Sequence, residues 1–154
     1  ADIKAFRFLS KYADQLLLKR IARSEFHLDW LRYFSRAFYN LRQIGGGLYA
    51  HMGVVENPDI LVILADFFMR VHGVPWNVIS GEFDDKLIAI FRGDGQRKDM
   101  GKFAQALFGD IGSAGGHRGA ARAEVDKSKI EDKDPEAYVV KKLNKGRRKG
   151  RINS

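Results

Sequence analysis

The chain has 154 residues, 45% of them hydrophobic, and a formal net charge of +8. This length accommodates one domain of ordinary size with extensions, and the composition is sufficient for a real hydrophobic core. The absence of cysteine excludes disulfides and thiolate metal sites, and it favours a reducing, cytoplasmic setting. No apolar run approaches the roughly 20 residues of a membrane span. The first residues do not resemble a signal peptide.

Most of the positive charge lies at the C-terminal end of the chain. Segment 141–154 carries seven cations and no acid, which leaves a formal net charge of only +1 for the rest of the +8 chain. The seven are Lys141, Lys142, Lys145, Arg147, Arg148, Lys149 and Arg151. Such a tail either binds polyanions in a salt-dependent way or is a solvated end that aids solubility.

Two helices are predicted before the first glycine cluster. Apolar residues recur at helical spacing over residues 2–23 and again over residues 28–43. Three consecutive glycines, Gly45 to Gly47, are expected to end the second helix. Both apolar stripes are long for an isolated pair, so the two helices are also candidates for pairing with a second copy of the chain or with a partner domain.

The middle of the chain predicts a strand followed by a buried helix. Residues 48–55 alternate in the manner of a strand. The helix over 58–72 begins after the cap-type residue Asn57 and is apolar over most of its surface, which predicts a central position. Asp66 and Arg70 are four residues apart, which is the spacing of a paired polar stripe.

The second half of the chain alternates strands and helices. The predicted strands are 76–82 and 86–92, joined by a hairpin turn, and 121–125; the predicted helices are 99–108, capped by Asp99, and a short one from Asp134. We therefore expect an α/β fold, with a mixed sheet of about five strands, packed helices and a helical connector in front.

A glycine-rich stretch, residues 112–121, is the part of the chain best suited to bind an anion. Gly115 and Gly116 allow a ligand to approach the backbone, and successive N–H groups in such a turn converge on an anion. The guanidinium of Arg118 can hold two phosphate oxygens, and the imidazole of His117 can donate to a third. The alternative is a flexible loop between two elements.

Other chemistry is largely absent from the sequence. The four histidines show no metal-ligand spacing, and His51 and His72 fit structural roles. Asp84 and Asp85 suit a turn for backbone reasons. Nucleophile-elbow, Walker and dinucleotide-binding patterns are missing. The residues that assemble into an anion-binding surface are Arg92, Ser113, Gly115, Gly116, His117 and Arg118.

The order of these features resembles the C-terminal substrate-binding domain of the DHH phosphoesterase family. That family includes RecJ-type exonucleases, nanoRNA and cyclic-dinucleotide phosphodiesterases, and exopolyphosphatase-related proteins. The resemblance rests on a strand ending in Arg92, the helix over 100–108 and the glycine loop over 109–121, and it covers roughly 45–126. The family's Gly-Gly-Gly-His loop falls on residues 114–117, with Ala114 in place of the first glycine. Gly93 stands where the family usually has serine after the arginine.

The resemblance implies half of an enzyme. In the family, two manganese ions are held by the N-terminal domain, including its Asp-His-His motif, which this sequence lacks. The implied division is a connector over 1–44 from an absent catalytic domain, the substrate-binding domain over 45–126, and a short helix with a basic tail over 127–154. This chain would then hold no cofactor and no catalytic residue, and it would position a nucleotide, oligonucleotide or polyphosphate against metals housed in the N-terminal domain.

A second interpretation is a nucleic-acid-binding module without catalysis. The resemblance extends to the C-terminal domain of alanyl-tRNA synthetases, and the basic tail would then dominate the affinity.

Overall fold

The structure is a computed structural model that describes residues 28–131 and 133–152, with side chains up to Gly146. It contains four helices, which are α1 (Leu28–Asn40), α2 (Asp59–Phe68), α3 (Met100–Phe108) and α4 (Pro135–Ile152). Its six strands are β1 (Arg42–Ile44), β2 (Gly47–Val54), β3 (Trp76–Phe83), β4 (Lys86–Gly93), β5 (Ser113–Gly116) and β6 (Ala120–Asp126). The predicted helix over 2–23 lies outside the described residues.

The six strands form one mixed sheet in the order β1-β2-β3-β4-β6-β5. Strands β2 and β3 are parallel and are connected through α2, while the other neighbours are antiparallel. The predicted α/β class is confirmed, with six strands against the expected five or so. Strand β5 lies at one edge of the sheet. It belongs to the glycine-rich stretch, which was expected to be a loop.

Helices cover the two faces of the sheet. Alternate residues of the strands pack against α1 and α2 on one face, as Ile88 and Ile90 do, and against α3 and α4 on the other, as Ala89 and Phe91 do. This alternation follows from the period of two along a strand. We call these the α2 face and the α4 face.

The first glycine cluster makes a hairpin and does not end a helix. Helix α1 stops at Asn40, and β1 and β2 pair through Ile44 and Gly47. Between them Gly45 and Gly46 have φ of 58° and 87°, which is the backbone of a tight two-residue hairpin turn. The prediction that this helix extends to residue 43 was therefore wrong, because its last turn is absent.

Helix α2 is shorter than predicted, and its polar residue has a different partner. It begins at Asp59, whose N–H donates to Oδ1 of Asn57 at 2.9 Å, and ends at Phe68. Asp66 accepts from Nε of Arg92 at 2.8 Å, so the expected pair with Arg70 is wrong.

The remaining predicted elements are present. Strands β3 and β4 and helix α3 lie within a residue of their expected bounds, and the Asp99 carboxylate accepts from the N–H of Lys102 as a cap. The last helix is longer than expected, because α4 continues through the basic segment to Ile152. In the described part of the chain no helix has the length and apolarity to cross a bilayer.

Helices α1 and α2 leave apolar side chains at the surface. Leu28 and Tyr39 of α1 are 79% and 91% exposed, and Phe67 of α2 is 37% exposed. This exposure is compatible with the predicted pairing of the first two helices, and the pairing itself stays a prediction.

A buried polar chain crosses β2 and β3 beneath α4. Ser80 Oγ lies 2.8 Å from Tyr49 Oη and 2.8 Å from His51 Nδ1, and Nε2 of His51 faces Glu82 at 3.5 Å. Burial lowers the pKa of His51, although Glu136 and Glu82 act to raise it. The imidazole is therefore held neutral, accepting from Ser80 and directing its proton to Glu82.

Acidification should destabilise the fold through His51. Because its folded pKa lies below the unfolded value of about 6.5, the unfolded chain takes up a proton first. The contribution of His51 to the free energy of unfolding is therefore complete above the unfolded pKa and decreases as the pH falls below it. Urea unfolding at pH 7.5, 6.5 and 5.5 measures the loss. His51→Gln should be less stable at pH 7.5 and lose less on acidification, whereas His72→Gln, at an exposed position, is the matched control. An equal pH dependence in His51→Gln would contradict this account.

Candidate functional site

Three of the six sequence-predicted residues, Arg92, Gly115 and Gly116, line a shallow concavity at the α2 face, whereas Ser113, His117 and Arg118 do not. The space has a volume of about 260 Å³ and lies over β4, β6 and the edge strand β5. Its lining comprises Val62 of α2, Ile90, Arg92, Gly115, Gly116, Ala120, Ala121 and Arg122. We call this space the cleft.

Sheet register explains why these residues meet. Arg92 of β4 lies opposite Ala120 of β6, and Gly115 of β5 lies opposite Arg122. Arg92, Arg122 and Gly115 are thereby on the same face as Ile90, which packs toward α2. Ser113 shares this face two residues earlier along β5, but it does not line the cleft.

Arg92 is fixed in place by two protein acceptors. Its Nε donates to Asp66 at 2.8 Å and its Nη1 to the carbonyl of Phe91 at 3.0 Å, and 21% of its side chain is exposed. Among the described residues no partner contacts Nη2. The guanidinium is therefore oriented in advance and keeps donor capacity for a ligand.

Arg122 is the second cation of the cleft, and the sequence analysis did not select it. It bonds Glu124 on its own strand at 2.7 Å, and its side chain is 43% exposed. Partial burial acts to raise the pKa of Glu124, but hydrogen bonds from Arg122 and Lys86 lower it overall, so the carboxylate stays ionised. The sequence pattern predicted only a strand over 121–125 and gave Arg122 no role.

The glycines of β5 differ in what they require. A Cβ on Gly115 would meet nothing within 4 Å, so this position leaves the backbone open to the cleft. Gly116 has a φ of 154°, and a Cβ there would lie 2.3 Å from the carbonyl oxygen of Ala120. Gly115 is thus optional for folding, whereas Gly116 is required.

The turn between β5 and β6 is attached to the start of α3. The N–H of Met100 donates to the carbonyl of Arg118 at 3.0 Å, and the N–H of Gly101 to that of His117 at 2.9 Å. A Cβ on Gly101 would lie 2.8 Å from the oxygen of Gly116. The first amides of α3 therefore hold the turn and are not free for an anion.

His117 and Arg118 have different surroundings within this turn. Nδ1 of His117 accepts from the N–H of Gly119 at 3.2 Å, which leaves the ring proton on Nε2. The ring lies beside Gly119, whose carbonyl accepts from the N–H of Gly93, immediately after Arg92. His117 is thus close to the end of β4 without lining the cleft.

Arg118 is turned away to a neighbouring loop. Its Nε donates to the carbonyl of Gly95 at 2.8 Å, and its Nη2 is 3.5 Å from that of Gln96. That loop is fixed by Asp94, whose pKa is lowered by backbone hydrogen bonds from Gln96 and Arg97. The structure gives Arg118 a supporting contact to this loop.

Metal ligands do not gather in the described part of the chain. Residues 28–131 and 133–152 contain no group of three or more histidine and acidic side chains placed to hold an ion.

Comparison with known proteins gives a fold and one distant relative. No protein-family model matches the chain. It is 27% identical over 125 residues to an uncharacterised protein, MJ1633, of Methanocaldococcus jannaschii, a match that covers 80% of this chain and 25% of that protein.

Three examples illustrate the solved structures that share the fold. An exopolyphosphatase-related protein of Bacteroides fragilis has a TM-score of 0.61 at 15% identity, over 95% of this chain and 44% of the other. The C-Ala domain of Aquifex aeolicus alanyl-tRNA synthetase has a TM-score of 0.50 at 20% identity, over 68% and 97%. A DHH domain from a member of the s1p family of ribosomal proteins has a TM-score of 0.50 at 16% identity, over 76% and 30%.

The likeness to DHH-domain proteins is thus confirmed at the level of the fold. The chain spans about a quarter of the curated relative's length and under half of the exopolyphosphatase-related structure.

Alanine substitutions of the two neighbouring glycines should differ in their effect on the free energy of unfolding. Gly116→Ala forces a methyl group against Ala120 and should cost about 1–3 kcal/mol of unfolding free energy. Gly115→Ala adds the same methyl group in open space and should stay within about 0.5 kcal/mol of the parent. Thermal or urea unfolding measures both, and equal effects at the two positions would contradict the described backbone.

Proposed function

We propose that this chain is the substrate-binding domain of a two-domain, DHH-type phosphoesterase. It would hold a phosphate or nucleotide group, or the end of a single-stranded nucleic acid, while a separate domain carries out cleavage. The observation that supports this most is Arg92, oriented by Asp66 and Phe91 beside the open backbone of Gly115. The shared fold with DHH-domain proteins adds to it.

The cleft suits a doubly charged phosphate group. Arg92 and Arg122 supply two guanidinium groups, which are the cations best matched to phosphate oxygens. Asp66 and Glu124 compensate each of them in the free protein, so an incoming phosphate competes for donors that are already positioned. A cation held in this way loses little conformational entropy when the ligand binds.

The missing side chain at Gly115 allows close approach of a ligand. Val62 and Ile90 supply an apolar wall on the same space, which is suited to a sugar or base attached to the phosphate. The proposal extends to His117, whose Nε2–H is available as a donor near the end of β4. In this proposal Ser113 and Arg118 do not contact the ligand: Ser113 lies on β5, and Arg118 supports the loop at Gly95.

We assign cleavage to another domain, as the likeness to DHH phosphoesterases implies. The chain's own contribution would be to bind and orient the substrate, which lowers the barrier by fixing the reacting group in place. We also propose a cytoplasmic location, which the lack of cysteine in the sequence favours.

Binding to the cleft should depend on Arg92 and on the open space at Gly115. The probes are a 5′-phosphorylated diadenylate, adenosine 3′,5′-bisphosphate and tripolyphosphate, measured by calorimetry. Arg92→Ala should raise Kd for the bound probe by about 10- to 100-fold, since it removes a charge-assisted hydrogen bond. Gly115→Val should also weaken binding, by filling the space.

Arg97→Ala is the matched control, because Arg97 is an exposed arginine outside the cleft. It should bind each probe as the parent does. Unchanged affinity in Arg92→Ala and Gly115→Val for every probe that the parent binds would contradict the proposal.

The purified chain should hydrolyse none of these probes, with or without manganese. Product release followed by chromatography measures this. Hydrolysis by the chain that His117→Ala abolishes would assign catalysis to this domain and overturn the division of labour.

A nucleic-acid-binding module is the second candidate function. The likeness to a C-Ala domain supports it, as does the continuation of α4 through the basic segment. Deleting 141–154 is a poor test, because Leu143 is buried in the core. Replacing Arg147, Arg148, Lys149 and Arg151 by glutamine tests the distal cations without that loss.

A further inference from the structure

A second concavity, on the α4 face, is lined by lysines. It has a volume of about 240 Å³ and lies between α4, the end of α3 and the turn after β6. The lysines are Lys129, Lys141, Lys142 and Lys145. We call this space the lysine pocket. Helix α4 packs on the face opposite Val62 and Ile90, so the pocket and the cleft are separate sites.

The pocket has a surplus of unpaired positive charge. Asp110 and Glu131 are its two acids, and Lys142 is 3.9 Å from Asp110. The other three lysines have no ion-pair or hydrogen-bond partner in the described part of the chain. Like charges that converge on one space repel each other, and an anion placed there relieves the repulsion.

An aromatic ring lies among these cations. Tyr138 lines the pocket, is half-buried, and rests on Phe108 with ring centroids 6.2 Å apart. The ammonium of Lys142 is 5.6 Å from the Tyr138 ring centroid. A supported aromatic surface with lysines around it is the composition of single-strand nucleic-acid sites, where a base stacks and the backbone meets cations.

Helix α4 carries further basic residues beyond the lysine pocket. It continues from the pocket to Ile152 and carries four further cations in sequence, at positions 147, 148, 149 and 151. The buried side chains Val139 and Leu143 fix the helix on the core, and Gly146 passes close to Leu107. The first part of the basic segment is therefore a formed surface on the folded body.

We propose that the lysine pocket binds single-stranded nucleic acid, with a base on Tyr138 and phosphates at Lys129, Lys141 and Lys145. This rests on the second candidate function and refines it, because it assigns recognition to the pocket and not to the distal cations. A polymer bound here would be held on the face opposite the cleft.

The test is fluorescence anisotropy of a labelled 15-nucleotide thymidine oligomer between 50 and 300 mM salt. Lys129, Lys141 and Lys145 together replaced by glutamine should reduce the magnitude of the slope of log K against log salt by about 2, because each phosphate contact on a single strand contributes about 0.7. Tyr138→Leu should weaken binding about 5- to 100-fold, whereas Tyr138→Phe should bind as the parent does.

The control replaces Arg32, Arg70 and Lys102 by glutamine, which removes the same charge from exposed positions away from the pocket. An equal loss in this control would overturn the proposal. A loss confined to the glutamine variant of residues 147–151 would leave the second candidate function standing and the pocket assignment wrong. Equal binding to phosphatidylserine vesicles, lost in the same pocket variants, would replace nucleic acid by a membrane surface and also overturn it.

Discussion

Two backbone hydrogen bonds between the start of α3 and the turn after β5 hold the site together. Amides in the first turn of a helix have no partner within the helix, and here Met100 and Gly101 donate theirs to the carbonyls of Arg118 and His117. The turn caps the helix, and the helix fixes the turn. Gly101 makes this possible because its missing Cβ leaves room for Gly116 at close contact.

This attachment decides which groups are left for a ligand. The helix amides are taken, and Arg118 supports the loop at Gly95, so anion recognition passes to side chains on the sheet. Arg92 and Arg122 approach from neighbouring strands, each balanced by a carboxylate in the free protein. The cleft is consequently a positioned but nearly neutral surface, and the strong excess of charge lies on the α4 face. The two faces suit different parts of one anionic substrate, or two different anions.

The sequence predicted those helices and strands that have turn or capping residues at their ends and a long run of apolar residues at regular spacing. Strands β3 and β4 and helix α3 are of this kind. Strands β1 and β5 were missed because they have three and four residues, and β5 includes two glycines that give no side-chain pattern. Helix α1 was extended because Leu41 continues its apolar stripe. The pairing of Asp66 with Arg92, 26 residues away, depends on sheet register, which spacing within one helix does not reveal.

In the proposed site, the backbone of Gly115 and the guanidinium of Arg92 bind the phosphate group of a substrate. Amide chemical shifts of the labelled chain, followed during titration with the 5′-phosphorylated diadenylate, locate the bound phosphate residue by residue. We expect saturable shifts that concentrate at Arg92, at Gly115 and Gly116, and at Ala121 and Arg122. Saturable shifts that leave these amides unchanged and fall elsewhere in the chain would contradict the proposed site.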